Sequence, residues 1–435
     1  MKIRLLLAAT ALTLGATPLC ATSPVTRVSV SATGAQGNGE SYNPGWHPTG
    51  CCVVFYTQAT NLFAAPPPNP TATQVAMVNL ATRTVTNMAP GTAVPGPAAI
   101  NTYNCTPCKT HPVFSGDGKK LSFYAEAANG LDPTDTGPFI DVFVQTVATG
   151  AVVRISGPHG IVGNNSSYVP IITAAGTIAG FVSTATNLLP GVTTRPVSLF
   201  TANLKTNALT LASTTATGTS LNGGVAEPSF SPGGTRIAFA TNATDIAPMP
   251  PGSTNIFTRG ISGGAYTLIS KTGSGVIGNG LSTHPRWSAD GTMMAFQSNA
   301  TAFGGDGVTP QIYIKNLHTG TLTLVSTDAG GNPGNGASDH PAFSPDGTKL
   351  ALDTAATNFA PGTVAGTNQV AVKNLITGAM TIISVTPAGA PGDSNSNHPQ
   401  WSPDGTRIAF GSSSDDLVPG DTNRKQDIFI APAPP

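Results

Sequence analysis

"SNSNHPQWSPDGTRIAF" (Ser394–Phe410) occurs in variant form seven times along the chain. "STHPRWSADGTMMAF" (Ser282–Phe296) and "SDHPAFSPDGTKLAL" (Ser338–Leu352) are close copies, and "AEPSFSPGGTRIAF" and "KTHPVFSGDGKKLSF" lie upstream. More worn are "YVPIITAAGTIAGF" and "YNPGWHPTGCCVVF". The glycine closing each copy falls at Gly50, Gly118, Gly176, Gly234, Gly291, Gly347 and Gly405. Neighbouring glycines are 56–58 residues apart, except for 68 between the first two. A fixed period of this kind marks a repeat architecture.

Each copy carries the same local chemistry. Pro presets φ, and Asp-Gly supplies the tight reversal. An alternating segment such as "TRIAFGS" then completes a hairpin. A polar loop leads to a third apolar stretch ("DIFIA", "QVAVKNL", "QIYIKNL"), and a turn such as "LITGAM" leads to a fourth, "TIISV". Four short antiparallel strands per unit, set around a circle, predict a propeller. Beyond the first twenty residues no long apolar 3.6-residue period occurs. The last copy stops after its third strand, at "DIFIAPAPP", while "SPVTRVSVSATG" near the start reads like the fourth-strand segment "GAMTIISVTPAG". The expectation is an all-β, seven-bladed β-propeller of four-stranded antiparallel blades. Its N-terminal strand completes the last blade, which leaves no open sheet edge.

The segments "HPQWSPDGTRIAF", "HPAFSPDGTKLAL" and "PSFSPGGTRIAF" resemble the WD40-like, or PD40, repeats of TolB-type propellers. The resemblance covers nearly all of residues 22–435, taken as one domain, and implies architecture rather than activity. TolB carries an additional N-terminal α/β domain, and propeller peptidases of this repeat type carry a hydrolase domain. The repeats leave no room for either, so neither Tol partnership nor peptidase activity is implied.

Composition narrows the partners. Twenty basic and twenty acidic residues cancel, and charged residues make up 9% of the chain. No basic stripe points to nucleic acid or to an anionic membrane surface. Residues 1–21, with Lys2 and Arg4 before an apolar run and small residues, read as a signal peptide too short for membrane insertion. Export to the periplasm or the medium follows, with cleavage after Ala21, and the mature protein is expected to be a monomer. Cys51, Cys52, Cys105 and Cys108 then remain, an even count that favours disulfides in an oxidising compartment. Cys51 and Cys52 fall on one rim of the ring and Cys105 and Cys108 on the other. Four or five strand residues would separate the pairs by roughly 15 Å, beyond the ~7 Å that a disulfide spans. Cys105–Cys108 is the expected bond, with Cys51 and Cys52 free or joined in a strained vicinal bond.

The "SPDG" and "TG" turns fall together on one rim, and the longer loops on the other, so the loop-rich rim is the expected working face. There the residue before each first-strand Pro forms a set: Asn43, His111, Val169, Glu227, His284, His340 and His398. Inner strands line a propeller axis, so four imidazoles and one carboxylate are expected around the channel mouth. Imidazole ligates transition metals and also serves as a base. The plainer reading is that an "S-x-H-P" template repeats, with pre-proline restriction holding the backbone and each ring bonded to a neighbouring blade. Beyond the histidines, only Glu227, Asp339 and Lys109 could assist acid–base chemistry, since Asp117, Asp290, Asp346 and Asp404 belong to turns. "DTNRKQD" (Asp421–Asp427) has calcium-like oxygen spacing but lacks the glycine and the later glutamate of an EF-hand loop. No GxSxG, Walker A or HExxH motif is present. The leading expectation is a non-catalytic propeller binding a protein, peptide or envelope glycan without a cofactor. The alternative is a polysaccharide lyase or hydrolase using a divalent metal held in a His-lined channel.

Overall fold

A computed structural model describes residues 24–89 (apart from 69 and 71), 110–125, 130–157 (apart from 135 and 136), 160–190 and 196–435. Seven four-stranded antiparallel sheets form the ring. Their inner strands are Ser41–Trp46, Val113–Phe114, Ser167–Ile172, Val225–Phe230, Ser282–Trp287, Ser338–Phe343 and Ser396–Trp401. Inner strands of neighbouring blades pack against each other, which places them around the axis. Among the described residues no helix is long and apolar enough to cross a membrane.

The repeated turn explains the repeated hairpin. In blade 6 the Ser344 hydroxyl donates to Asp346 Oδ1 at 2.6 Å and accepts the Lys349 amide at 2.9 Å. The following Gly347 adopts φ +70°, a left-handed conformation that costs glycine little. All seven closing glycines share this conformation, with φ between +63° and +72°. Packing between blades uses the aromatic residue that ends the inner strand. Trp46, Trp287 and Trp401 each donate an indole N–H to a carbonyl of the preceding blade: Gln400, Ser229 and Ala342, at 2.9, 3.3 and 2.9 Å. Buried Phe55, Phe123, Phe181, Phe239, Phe296 and Phe410 on the second strands fill the layers between sheets.

Closure occurs as the sequence predicts. Thr26 pairs with Ile430 and Arg27 with Phe429, and the Val28 amide donates to Ile428 O at 2.8 Å. Ser29 occupies a position that recurs in the ring. In blades 2 to 6 a serine two residues past the fourth strand accepts a third-strand amide: Ser156 from Val142, Ser213 from Leu199, Ser270 from Ile256, Ser326 from Ile312 and Ser384 from Val370, at 2.9–3.0 Å. Ser29 does the same for Ile428 at 3.0 Å. The calcium-like loop serves this closure. Arg27 reaches Asp421 at 2.7 Å and Asp427 at 3.5 Å. A side-chain cation of the chain itself therefore stands among these carboxylates, and the segment is neither an ion loop nor a freely solvated one.

Candidate functional site at the channel mouth

Six of the seven pre-proline residues share an unusual backbone. Asn43, Val169, Glu227, His284, His340 and His398 have φ between +47° and +58°. The ladder with the second strand slips at each of them, for example between Asp339 and Ala342. Left-handed φ is uncommon for residues with a Cβ, and a bulge re-aims the side chains beside it. Pre-proline restriction therefore does not hold these positions extended. His111 departs from the set: its strand ladder covers only Val113–Phe114, and its φ is not positive.

The structure brings His284, His340, His398 and Glu227 together in blades 4 to 7. His284 Nε2 lies 2.8 Å from Glu227 Oε1, and its Nδ1 lies 2.9 Å from Asp339 Oδ1. The second Glu227 oxygen accepts the His284 amide at 2.5 Å. His340 Nδ1 meets the buried Asp353 Oδ2 at 2.7 Å. The same carboxylate accepts the His398 amide at 3.1 Å, and His398 Nδ1 lies 3.0 Å from Asn397 Oδ1. The three rings form a contiguous row, with centroids 4.7 Å apart for His284–His340 and 3.9 Å for His340–His398.

Electrostatics sets the charge states. Burial alone would lower the His284 pKa, but the charges of Glu227 and Asp339 raise it to about 10. Burial works against ionised Glu227 too, yet the His284 charge and its hydrogen bonds hold that carboxyl below its usual range. Asp339 is held well below the usual range by His340 and His284, again against the effect of burial. At neutral pH the cluster is thus carboxylate, imidazolium, carboxylate. His111, in blade 2, stays neutral: burial first, then Arg286 and His340, lower its pKa to about 3.

Three contributors lie outside the pre-proline set, Asp339, Asp353 and Arg286, of which the sequence offers Asp339 as a supporting acid. Asp353 lies on the second strand opposite Asp339, where other blades carry Tyr56, Tyr124, Val182, Ala240, Gln297 and Gly411. Arg286 follows Pro285 and reaches far enough to influence His111. Its signal was its break with the repeat. On the opposite rim, Cys51 is an exposed thiol and Cys52 a buried one. Burial, followed by the neighbouring Cys51, pushes the Cys52 thiol up to about 12. Cys105, Cys108 and Lys109 lie outside the described residues.

His284, Asp339 and His340 can place one ligand atom each within 4.8 Å of one another. The donor set fits a divalent cation poorly, because both His284 nitrogens already face carboxylates and Arg286 adds positive charge nearby. A ligating imidazole must be neutral.

No protein-family model and no curated protein matches this chain by sequence. Solved structures match it as a fold. A manganese-bound oligogalacturonate lyase is similar over 94% of this chain and 93% of its own, at 15% identity and TM-score 0.58. A puromycin-hydrolyzing peptidase of Mycobacterium tuberculosis is similar over 91% of this chain at 14% identity and TM-score 0.56. This chain spans about half of that peptidase, 53% of its length. TolB from Acinetobacter baumannii is similar over 83% of this chain and 76% of its own, at 16% identity and TM-score 0.43. At such identities a structural likeness establishes the propeller fold and leaves function to the site.

Proposed function

We propose that this chain is an exported, non-catalytic propeller that binds a protein, peptide or glycan partner at its loop-rich rim. One observation carries the reading. Val276, Leu281, Val308 and Val364 are among the most exposed large apolar residues, and all lie on loops of that rim at blades 5 and 6. Those are the blades that contribute His284, Asp339 and His340. Apolar side chains held in water on one rim offer a partner area to bury.

The rim is also pre-organised. In blade 6, Asn335 Nδ2 donates to Thr357 Oγ1 at 2.8 Å while its Oδ1 accepts the Thr357 amide at 2.7 Å. Asn38 with Thr60, Asn164 with Thr186 and Asn222 with Thr244 repeat the pair. Loops fixed in this way lose less entropy on binding. Export rests on the signal-like residues 1–21.

The metal-dependent enzyme is the second reading, favoured by the His284, Asp339, His340 grouping and by a buried His340 Nε2 with no hydrogen-bond partner. The occupied His284 makes it the weaker of the two. Screening the mature protein against arrays of envelope glycans and peptides tests the proposal. Binding should vanish in a folded Leu281→Asp, Val308→Asp variant and survive Ile376→Asp on the opposite rim. The reverse pattern would sink it.

A further inference from the structure

Among the described residues, the buried Arg154, Lys315 and Lys373 and the half-buried Arg27 and Arg259 are met by acceptors, whereas the half-buried Arg286 on its inner strand is met by almost none. Arg259 donates to Ala212 O, Thr214 Oγ1 and Tyr266 Oη, at 2.8, 2.7 and 3.1 Å. Arg154 pairs with Asp132 at 2.9 Å and Arg27 with Asp421 at 2.7 Å. Lys315 reaches Lys271 O at 2.7 Å, and Lys373 reaches Thr327 O at 2.9 Å. Arg286 is the exception. Its single hydrogen bond runs from Nη1 to Pro285 O at 3.2 Å, and among the described residues it forms no ion pair.

The nearby carboxylates are already engaged. Glu227 uses both oxygens on His284. Asp339 Oδ1 faces His284 Nδ1 and accepts the His340 amide at 2.7 Å. They act on Arg286 only at longer range, while burial lowers its pKa. A guanidinium has five donors in a planar fork, and the half-buried Arg286 engages one of its nitrogens within the chain, which leaves the rest of the fork open to a ligand.

Position strengthens the point. The other blades carry Gly45, Val113, Ile171, Ser229, Ala342 and Gln400 after the inner-strand proline. No template supplies an arginine there, so propagation of the repeat does not account for Arg286. Residues that break a local rule cluster at functional sites.

We propose that Arg286 is the anchor of an axial subsite that takes a carboxylate group. The fork matches two coplanar oxygens. Glu227 and Asp339 stand within electrostatic reach, which favours a singly charged anion over a doubly charged phosphate. The group could arrive as a free small carboxylate or as the carboxylate end of a larger ligand. The inference rests on the axis and loop-rich rim being the binding face.

Calorimetric titration of the mature protein tests it, with acetate, acetamide, inorganic phosphate, and a tripeptide bearing a free or an amidated C-terminus. Arg286→Met and Arg286→Lys are the variants. Acetate should bind saturably and acetamide should not, with affinity at least tenfold lower in Arg286→Met and partly restored in Arg286→Lys. A free-ended tripeptide binding tenfold tighter than acetate, with the gain lost on amidation, identifies a chain end. Equal affinity identifies a free anion. Arg286→Met should melt no lower than the parent, because it breaks no ion pair and one hydrogen bond to the neighbouring Pro285 carbonyl. A lower melting temperature, absence of acetate binding, preference for phosphate, or equal binding by Arg286→Met would overturn the subsite and make Arg286 a counter-ion of Glu227 and Asp339. Loss of rim binding in Leu281→Asp, Val308→Asp is independent of all these outcomes, so either reading can fail alone.

Discussion

The hydroxyl of Ser29 accepts the backbone N–H of Ile428 at 3.0 Å, although 399 positions separate them in the chain. Five other blades make the same bond within a single repeat, so Ser29 stands where a local serine would stand. Removing residues 22–32 should leave the edge of Asp427–Pro432 unpaired and produce aggregation and a lower melting temperature. Ser29→Ala should cost about 1 kcal/mol in chemical denaturation, the value of a typical hydrogen bond. Unchanged solubility and melting after the deletion would argue against ring closure by this strand.

The same closure should respond to pH. Burial raises the Asp427 carboxyl to about 6, against the lowering influence of Ser29, Asn423 and Arg27. Burial also raises Asp421. Because a raised carboxyl favours the protonated folded state, its stabilisation is complete below about pH 4 and is lost as pH rises through about 6. Hydrogen-exchange protection factors in residues 25–30, corrected for the intrinsic pH dependence of exchange, should be higher at pH 5 than at pH 8, and Asp427→Asn should flatten the difference. Equal protection factors in the parent protein at both values would contradict this.

Breaking the axial triad should cost more than one ordinary hydrogen bond. His284→Asn leaves Glu227 and Asp339 without their shared imidazolium, whereas Glu227→Gln leaves it with one carboxylate. A double-mutant cycle between the two should show clear non-additivity in thermal unfolding. Additive effects would mean that the contact carries no coupling energy.

Thiol chemistry offers a separate check. Cys51 is exposed, while burial suppresses the thiolate of Cys52. Alkylation of the native protein at pH 8 should label Cys51 and spare Cys52. Non-reducing peptide mapping should find Cys105 joined to Cys108. A bond from either of them to Cys51 or Cys52 would refute the rim assignment.

The ring and its closure were legible in the sequence because the Ser-Pro-Asp-Gly turn is local chemistry, repeated at one register. "SPVTRVSV" was recognisable as a fourth strand because it carries its own alternation. The imidazole row was legible for the same reason, since His284, His340 and His398 share one place in the template. What brings their partners together was not. Asp353 sits in "LALDTA" as one polar residue of a strand, and only pairing with Asp339 sets it beside His340. Arg286 breaks the repeat in the sequence, but its lack of a partner is visible only in three dimensions. The left-handed backbone at six pre-proline positions runs against the usual restriction there, and the bulge that accommodates it needs the neighbouring strand. Arg27 and Asp421 come from opposite ends of the chain, so no local pattern could pair them.

The central claim is that His284 is an imidazolium locked between Glu227 and Asp339, which makes the channel mouth an ion-paired scaffold. A ¹⁵N NMR titration of its ring nitrogens tests this most directly. Both nitrogens should remain protonated through pH 8, with a midpoint near 10. Stabilisation from this group should be complete below about pH 6.5 and lost as pH rises through about 10. A neutral His284 ring at pH 7, with one nitrogen shifted by a bound metal, would contradict the account and favour the enzyme.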